Sequence, residues 1–572
     1  MTDIQSLRPL AAVLSAAVGI VGIVVLRRNP NIRESATLLS AASTLAIVAS
    51  MVPGVIGGTT YVTDLGTFVP GVRFVLQADP LGMIFGFLAS TLWLVTSFYS
   101  IGYMRGLDEH DQTRYFAAFA GSVSAALGVA FASNLIVLYV FYELLTVATY
   151  PLVTHDETDE ARKAGRKYLA YTFGGGVAAL AGTAIVFWTT GTVEFSAGGI
   201  AALATADPVL ARAAFGLLVA GFGVKAALMP VHSWLPDAMV APTPVSGLLH
   251  AVAVVKSGVF GIARVILDVY GPVTVGELGV GLPLAAVAAF TIVTASVIAL
   301  RQDNLKRRLA YSTISQLSYI VLGLALLSPA ALVGGLLHIP AHAFMKLTLF
   351  FCAGAIHVET HTDDISDMAG IGRRMPLTMI AFTIASLGMA GLPLVAGFVS
   401  KWYLLIGSID AGQTVFVFVL LASGLLNIGY FWPIIYQAFF QTPDDSDAKP
   451  LIEFPIGGVS ARTDGGTKRP AAGDEDRYAV DRNPSDHITD ADADVAAHAA
   501  TDADDHSDDH HHGGPPEGGW ERRRIGTEST WFMMAPIATA AAGAVVLGIV
   551  PYSAVFLALV QRVVADVTGV VF

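Results

Sequence analysis

The chain has 572 residues, 54% of them hydrophobic and only 14% charged, with a mean hydropathy of +0.63 and a formal net charge of −12. That balance excludes a soluble domain of ordinary make-up and makes lipid the solvent. The single cysteine, Cys352, lies inside an apolar run, which excludes an internal disulfide and CxxC ligand pairs, so any redox chemistry belongs to a partner.

A hydrocarbon core of about 30 Å needs apolar runs of about 20 residues. Runs of that kind lie near 8–27, 35–56, 79–103, 113–132, 134–153, 166–190 and 210–230. More follow near 243–268, 281–300, 309–328, 331–356, 377–408, 413–440 and 531–551. The sequence therefore predicts an all-α integral membrane protein of about fourteen transmembrane helices. The first run has no basic leader and no small-residue cleavage pattern, and reads as a span rather than a signal peptide.

Basic residues in short loops mark the cytoplasmic side. If the N-terminus is outside, the inside loops hold Arg27, Arg28, Arg33, Arg105, Arg114, Arg162, Lys163, Arg166, Lys167, Arg301, Lys306, Arg307, Arg308, Arg373 and Arg374. Outside positions hold little beyond Arg8, Arg73, Arg212 and Arg264. The expected placement is the plasma membrane with both termini outside.

Residues 441–528 break the pattern: they carry 21 acidic and 9 basic residues, a net of −12 that equals the charge of the whole chain. Low hydrophobicity and high charge predict a disordered, solvated loop on the cytoplasmic side. Such acidity suits a cell that keeps molar salt inside, where repulsion between carboxylates is screened. Within this loop His506, His510, His511 and His512, with Asp508 and Asp509, are weak candidates for a transition metal, and a low-complexity tract without ligand geometry is the simpler reading.

Ionisable residues inside spans carry the functional signal, because each costs about 2.5–3.5 kcal/mol at the bilayer centre. Glu143, Lys225, Lys256, Lys346 and Lys401 all fall within predicted spans. One buried ion pair would serve helix packing, but five charges in five spans are a costly way to pack helices. His338, His342 and Lys346 recur every fourth residue and share one helical stripe, as a proton relay needs. Imidazole suits that work because its ordinary pKa of about 6.5 populates both protonation states. His250, taken alone, reads more simply as a hydrogen-bonded core residue. Two helix interruptions stand beside lysines: Met229-Pro230 through Pro244 after Lys225, and Gly391-Leu392-Pro393-Leu394 before Lys401. Paired breaks in two halves are a mark of repeated transporter units.

Several motifs then occur together and in order. They are Phe141-Tyr142-Glu143-Leu144, Lys225 with Pro230-Val231-His232-Ser233-Trp234-Leu235-Pro236-Asp237, and Ala241-Pro242-Thr243-Pro244-Val245-Ser246-Gly247-Leu248-Leu249-His250. Lys256-Ser257-Gly258, Asp303-Asn304-Leu305-Lys306-Arg307-Arg308 through Gln316, His338 to Lys346 and Gly397-Phe398-Val399-Ser400-Lys401 follow. Over roughly 80–440 the chain resembles the antiporter-like subunits shared by respiratory complex I, Mrp-type sodium/proton antiporters and membrane-bound hydrogenases.

The resemblance implies two inverted five-helix repeats, spans 4–8 and 9–13, each with one broken helix. The expected organisation is a three-helix segment over 1–112, repeats over 113–270 and 281–440, the acidic loop over 441–528, and a final span over 529–572. It implies that Glu143 pairs with Lys225, that Lys256 with His250 forms a central link, and that His338, His342 and Lys346 lead towards Lys401. Lys401 at the terminal broken helix resembles the Mrp D subunit, whereas the Thr243-Pro244-Val245-Ser246 and His250 pattern leans towards the larger A-type form with its complex I relative. The implied function is a proton-translocating subunit of a multisubunit sodium/proton antiporter, Mrp D-like; the alternative is a proton-pumping subunit of a complex I-like oxidoreductase or an energy-converting hydrogenase. Expected partners are the other membrane subunits of such a complex, with protons and sodium as the ions exchanged. No cofactor, nucleotide loop, nucleophile triad or nucleic-acid binding is expected.

Overall fold

In lipid every backbone polar group must be satisfied within the protein, so apolar runs become helices. The computed structural model describes residues 2–442, 513–516, 519–551 and 555–571. In chain order come α1 (Arg8–Val25), α2 (Pro30–Ala49), α3 (Val52–Ile56), α4 (Pro80–Gly106), α5 (Gln112–Phe131), α6 (Leu135–Val153), α7 (Asp159–Thr190) and α8 (Pro208–Lys225). Shorter pieces follow: α9 (Trp234–Asp237), α10 (Thr243–Gly247), α11 (Val254–Arg264) and α12 (Gly271–Glu277). The second half holds α13 (Gly281–Ala299), α14 (Leu305–Ala325), α15 (Pro329–Thr360), α16 (Pro376–Ala390), α17 (Ala396–Asp410) and α18 (Thr414–Phe440), and the end of the chain α19 (Trp531–Ile549) and α20 (Val555–Thr568).

Among the described residues, eleven helical stretches are long and apolar enough to cross a membrane. The predicted spans near 243–268, 309–328 and 377–408 are helical but fall outside that set, each for a visible reason. The first is α10 and α11 joined through a π-helical turn at Leu248–Val252. The second, α14, opens on Lys306, Arg307 and Arg308 and carries Ser312, Thr313, Ser315 and Gln316 along its middle. The third divides into α16 and α17. Large apolar side chains such as Val177, Trp188, Phe418 and Leu425 point outwards, as lipid-facing positions require.

The helical fold also carries a three-stranded sheet, β1 (Thr2–Gln5), β2 (Thr59–Val69) and β3 (Val72–Ala78). β1 lies parallel to β2, with Thr2 opposite Thr59, and β2 antiparallel to β3, with Tyr61 opposite Ala78. The run Thr59-Thr60-Tyr61-Val62-Thr63 is β-branched and aromatic, which suits a strand, and it lies between predicted spans.

Two helices in the two halves of the sequence open with one device. Asn134 caps α6 through Val137 N–H at 2.9 Å and bridges to Glu194 beyond α7; Asn304 caps α14 through Arg307 N–H at 3.1 Å and bridges to Asp364 beyond α15. The helices that follow, α7 and α15, have the same length of 32 residues. α15 runs through the middle of the bundle, with every residue from Ala330 to Ile356 buried.

The basic loops gather at one end of the bundle. Arg33 bonds Gln112, Arg105 pairs with Glu34, Arg114 reaches the loop after α6, and Arg374 pairs with Glu359. Gln437 at the end of α18 and Trp520 ahead of α19 bond to Ser366 and Ala369 at that same end. Residues 441–442, 513–516 and 519–528 therefore lie with the basic loops, while the rest of the predicted acidic loop, including His506, Asp508, Asp509, His510, His511 and His512, lies outside the described residues. Arg264, counted among the outside positions, is no loop cation: it is fully buried, bidentate to Asp79 at 2.6 and 2.7 Å and bonded to Asp268 at 2.8 Å. A guanidinium is buried at tolerable cost only with partners of this geometry.

Candidate functional site

Glu143 projects from the middle of α6, and Lys225 ends α8, where the chain leaves the helix. The break is pinned rather than loose. Ala227 adopts φ +54°, Trp234 Nε1 donates to the Val224 carbonyl at 2.8 Å, and Met229 N–H donates to Thr291 Oγ1 at 3.2 Å. Non-helical backbone at membrane depth is kept only where the protein supplies such partners. Lys225 is fully buried. Its ammonium donates to the Tyr142 carbonyl and sits 3.3 Å from the centre of the Tyr142 ring. The Tyr142 hydroxyl donates to the Gly221 carbonyl at 3.0 Å, fixing α6 against α8.

The expected Glu143–Lys225 pair acts through space rather than through a hydrogen bond: the two charges interact, while the lysine is held by the residue next to the glutamate. Neither Glu143 oxygen has a hydrogen-bond partner among the described residues. Instead the carboxylate packs onto Gly176 of α7, where a Cβ would stand 1.9 Å from Oε1. Only glycine leaves room for a carboxylate so close to a helix backbone.

At the centre, Lys256 on α11 bonds His342 on α15, Nζ to Nδ1 at 2.8 Å. This corrects the expected Lys256–His250 link. The His250 ring lies in the π-helical turn, 4.9 Å from the Phe350 ring, and neither of its nitrogens has a partner among the described residues. Irregular turns of this kind are frequent at functional sites.

The predicted stripe on α15 is present: His338, His342 and Lys346 are all fully buried, and the two imidazole rings lie 6.1 Å apart. Their partners come from other helices. His338 Nδ1 lies 2.8 Å from Ser400 Oγ, next to Lys401, and its Nε2 lies 3.0 Å from Gln316 Oε1. Lys346 donates to Ser312 Oγ at 3.0 Å and to the Leu309 carbonyl at 3.1 Å.

From Lys346 a hydrogen-bonded line runs on to Lys401. The Tyr430 hydroxyl lies 3.1 Å from Ser312 Oγ and within bonding distance of Asn427 Oδ1. Asn427 Nδ2 donates to the Met389 carbonyl at 3.0 Å, and the Lys401 ammonium donates to that same carbonyl. Met389 belongs to the last turn of α16, just before the second break, where Gly391 and Leu394 take φ of +94° and +74°. Both broken helices thus hold a buried ammonium against a helical carbonyl.

Reading the sequence missed Ser312, Asn427 and Tyr430 as members of this line, and Gln316 as a partner of His338. Their signal was a polar side chain inside an apolar helix, but serines, threonines and tyrosines are scattered through these spans, and most bond their own helix. Thr313, Ser318 and Thr348 do so four residues back.

Comparison with known proteins follows the same lines. Residues 132–426 match the transmembrane family described as NADH:quinone oxidoreductase/Mrp antiporter. The chain is 35% identical over 413 residues to NADH-quinone oxidoreductase subunit N of Desulforudis audaxviator, covering 70% of this chain and 80% of that one. It is 34% identical over 391 residues to the A/B subunit of a probable K+/H+ antiporter of Rhizobium meliloti, covering 66% of this chain but only 38% of that protein's length. Among solved structures it is similar to a chain of the Mrp complex from Dietzia sp., with a TM-score of 0.75, 22% identity and coverage of 98% of each chain, a likeness of fold. A multi-pass, antiporter-like membrane subunit, the chain belongs to the NADH:quinone oxidoreductase/Mrp antiporter transmembrane family.

Proposed function

We propose that this chain is the proton-carrying subunit of a multisubunit monovalent cation/proton antiporter of the Mrp D type, working beside other membrane subunits. The observation that supports proton carriage best is the set of buried basic groups, Lys225, Lys256, His342, His338, Lys346 and Lys401, none more than 8% exposed. A scaffold has no use for it, since each buried ammonium carries a desolvation cost that apolar packing avoids.

On this reading Glu143 acts on Lys225 as a movable counter-charge. Its approach favours the charged ammonium, and its withdrawal favours release of the proton. Lys256 and His342 pass the proton through the centre, His338 and Lys346 connect to the second half, and Lys401 serves the far mouth. Water completes the steps where Glu143, His250 and His342 Nε2 have no protein partner among the described residues. The two repeats occupy 113–270 and 281–440. The end that gathers the basic loops is the cytoplasmic one, in the plasma membrane, with both termini outside. Sodium as the exchanged ion, and a salt-rich cytoplasm facing the acidic loop, belong to the same proposal.

The second reading is a pump arm of a redox complex, favoured by the similarity to an NADH-quinone oxidoreductase subunit N over 80% of that protein. Mass spectrometry of the intact complex separates the two: small Mrp-type membrane subunits support the first, iron–sulfur or quinone-reducing chains the second. Transport itself is tested by Lys225→Ala and Lys401→Ala, measured separately in vesicles containing the complex. Proton flux should fall at least tenfold with co-purification of partners unchanged. Normal flux in both variants, or lost assembly as the main defect, would overturn the assignment.

A further inference from the structure

Away from the buried line, the loop between α4 and α5 and the loop after α6 bring Glu109, His110 and His155 together, with their ligand atoms all within 4.8 Å of one another. We propose that these three residues form a binding site for a transition metal of the zinc class, with water as the fourth ligand.

The geometry is close to what the ion requires. Four-coordinate zinc with Zn–N and Zn–O bonds of about 2.0–2.2 Å holds neighbouring ligand atoms about 3.3–3.5 Å apart. Glu109 Oε2 stands 3.7 Å from His155 Nε2 and 3.8 Å from His110 Nδ1. The His110 and His155 rings are stacked, with centroids 4.8 Å apart and planes at 26°, so His110, whose side chain is 51% exposed, must turn before its Nδ1 and His155 Nε2 face one ion.

The hydrogen bonding leaves the right atoms open. His110 Nε2 lies 3.0 Å from the His155 carbonyl. That contact can only be a donated N–H, so in the neutral ring the lone pair is on Nδ1, the nitrogen that faces Glu109. A metal-bound histidine characteristically donates its other N–H to a carbonyl or carboxylate in this way. His155 is fully buried, yet neither of its ring nitrogens has a hydrogen-bond partner among the described residues. A buried imidazole without a partner is costly, and metal ligation by Nε2 would remove that cost. The nearby guanidinium of Arg114 donates to the same His155 carbonyl at 3.1 Å, but its charge is already met by Glu157 and by Asp111 at 3.3 Å. The site ties the α4–α5 connection to the end of α6, the helix that carries Glu143.

The test uses the full chain with its co-purifying subunits, after chelation. His506, His510, His511 and His512 are all replaced by Gln so that they cannot contribute. Zn2+ is then titrated and bound metal counted by mass spectrometry. This parent should retain one equivalent of Zn2+, show the intense visible bands of a tetrahedral site with Co2+, and gain thermal stability on adding Zn2+. His110→Gln, at an exposed position that should not disturb folding, should lower Zn2+ affinity by at least the ~10–100-fold that loss of an outer-shell partner brings, and abolish the thermal shift. His155→Gln should do the same. If the parent binds no Zn2+, or His110→Gln binds it as tightly as the parent, the site is no more than an ion-paired loop contact.

Discussion

Two residues of the proposed path, Glu143 and His338, rest on a neighbour whose change should show in transport before it shows in folding. Gly176→Ala places a Cβ where Glu143 Oε1 now lies and must push the carboxylate away from α7. Proton flux is expected to fall with the complex intact, as read in vesicles alongside co-purification. Ser400→Ala leaves His338 Nδ1 without its partner at 2.8 Å. A drop of about tenfold in flux is expected, the equivalent of about 1.4 kcal/mol, and Ser400→Thr, which keeps the hydroxyl, should restore most of it. Glu143, Lys225, Lys256, His338, His342, Lys346 and Lys401 were all legible as candidates, because the cost of an ionisable group in lipid keeps it out of apolar runs unless function needs it there. Their partners were not. Lys256 meets His342 rather than His250 because helical pitch and the packing of α11 on α15 decide which faces meet, and neither is written locally in the chain.

Among the elements, the broken helix formed by α16 and α17 depends on a residue far away in sequence. Glu528 is fully buried and accepts from Leu377 N–H at 2.6 Å, Thr378 N–H at 2.9 Å and the Thr378 hydroxyl at 2.9 Å, capping the start of α16. A carboxylate there satisfies orphan helix donors and meets the positive end of the helix dipole. Glu528→Ala should cost on the order of 2 kcal/mol, seen as a lower unfolding temperature of the purified complex. The loop beyond α15 gives a prediction in pH. Burial works to raise the Asp363 carboxyl, but the hydrogen bond from His357 at 3.0 Å, with the charges of Lys306, His357 and His361, outweighs it and leaves the group below its usual range. The folded state then binds fewer protons there than the unfolded one, so the stabilisation is present above the usual carboxylate value of about 3.9 and is lost as pH falls through the folded value. Asp363→Asn should lower the unfolding temperature near pH 7, and the gap from the unsubstituted protein should close in acid. A constant gap across that range would assign the loss to packing instead.

For the molecule as a whole, the net charge resides in 443–512, which holds 18 acidic and 6 basic residues. Removing 443–512 should leave proton transport intact, while altering its dependence on salt; abolished transport at normal expression would tie the loop to the mechanism. The sequence by itself determined the solvent, the helical class, the positions of both breaks and which charged residues fall inside the spans. These depend on run length, on proline and glycine placement, and on the cost of a charge in lipid, all of which act within a single segment. Only the tertiary structure decided that Lys225 rests on Tyr142, that Asn427 and Tyr430 join Lys346 to Lys401, and that Glu109 and His110 meet His155. Tyr142 and Lys225 are 83 positions apart, and Ser312 and Tyr430 are 118 apart. Such contacts depend on which helix faces pack together, a choice made by the whole bundle at once and invisible in the hydropathy of any one span.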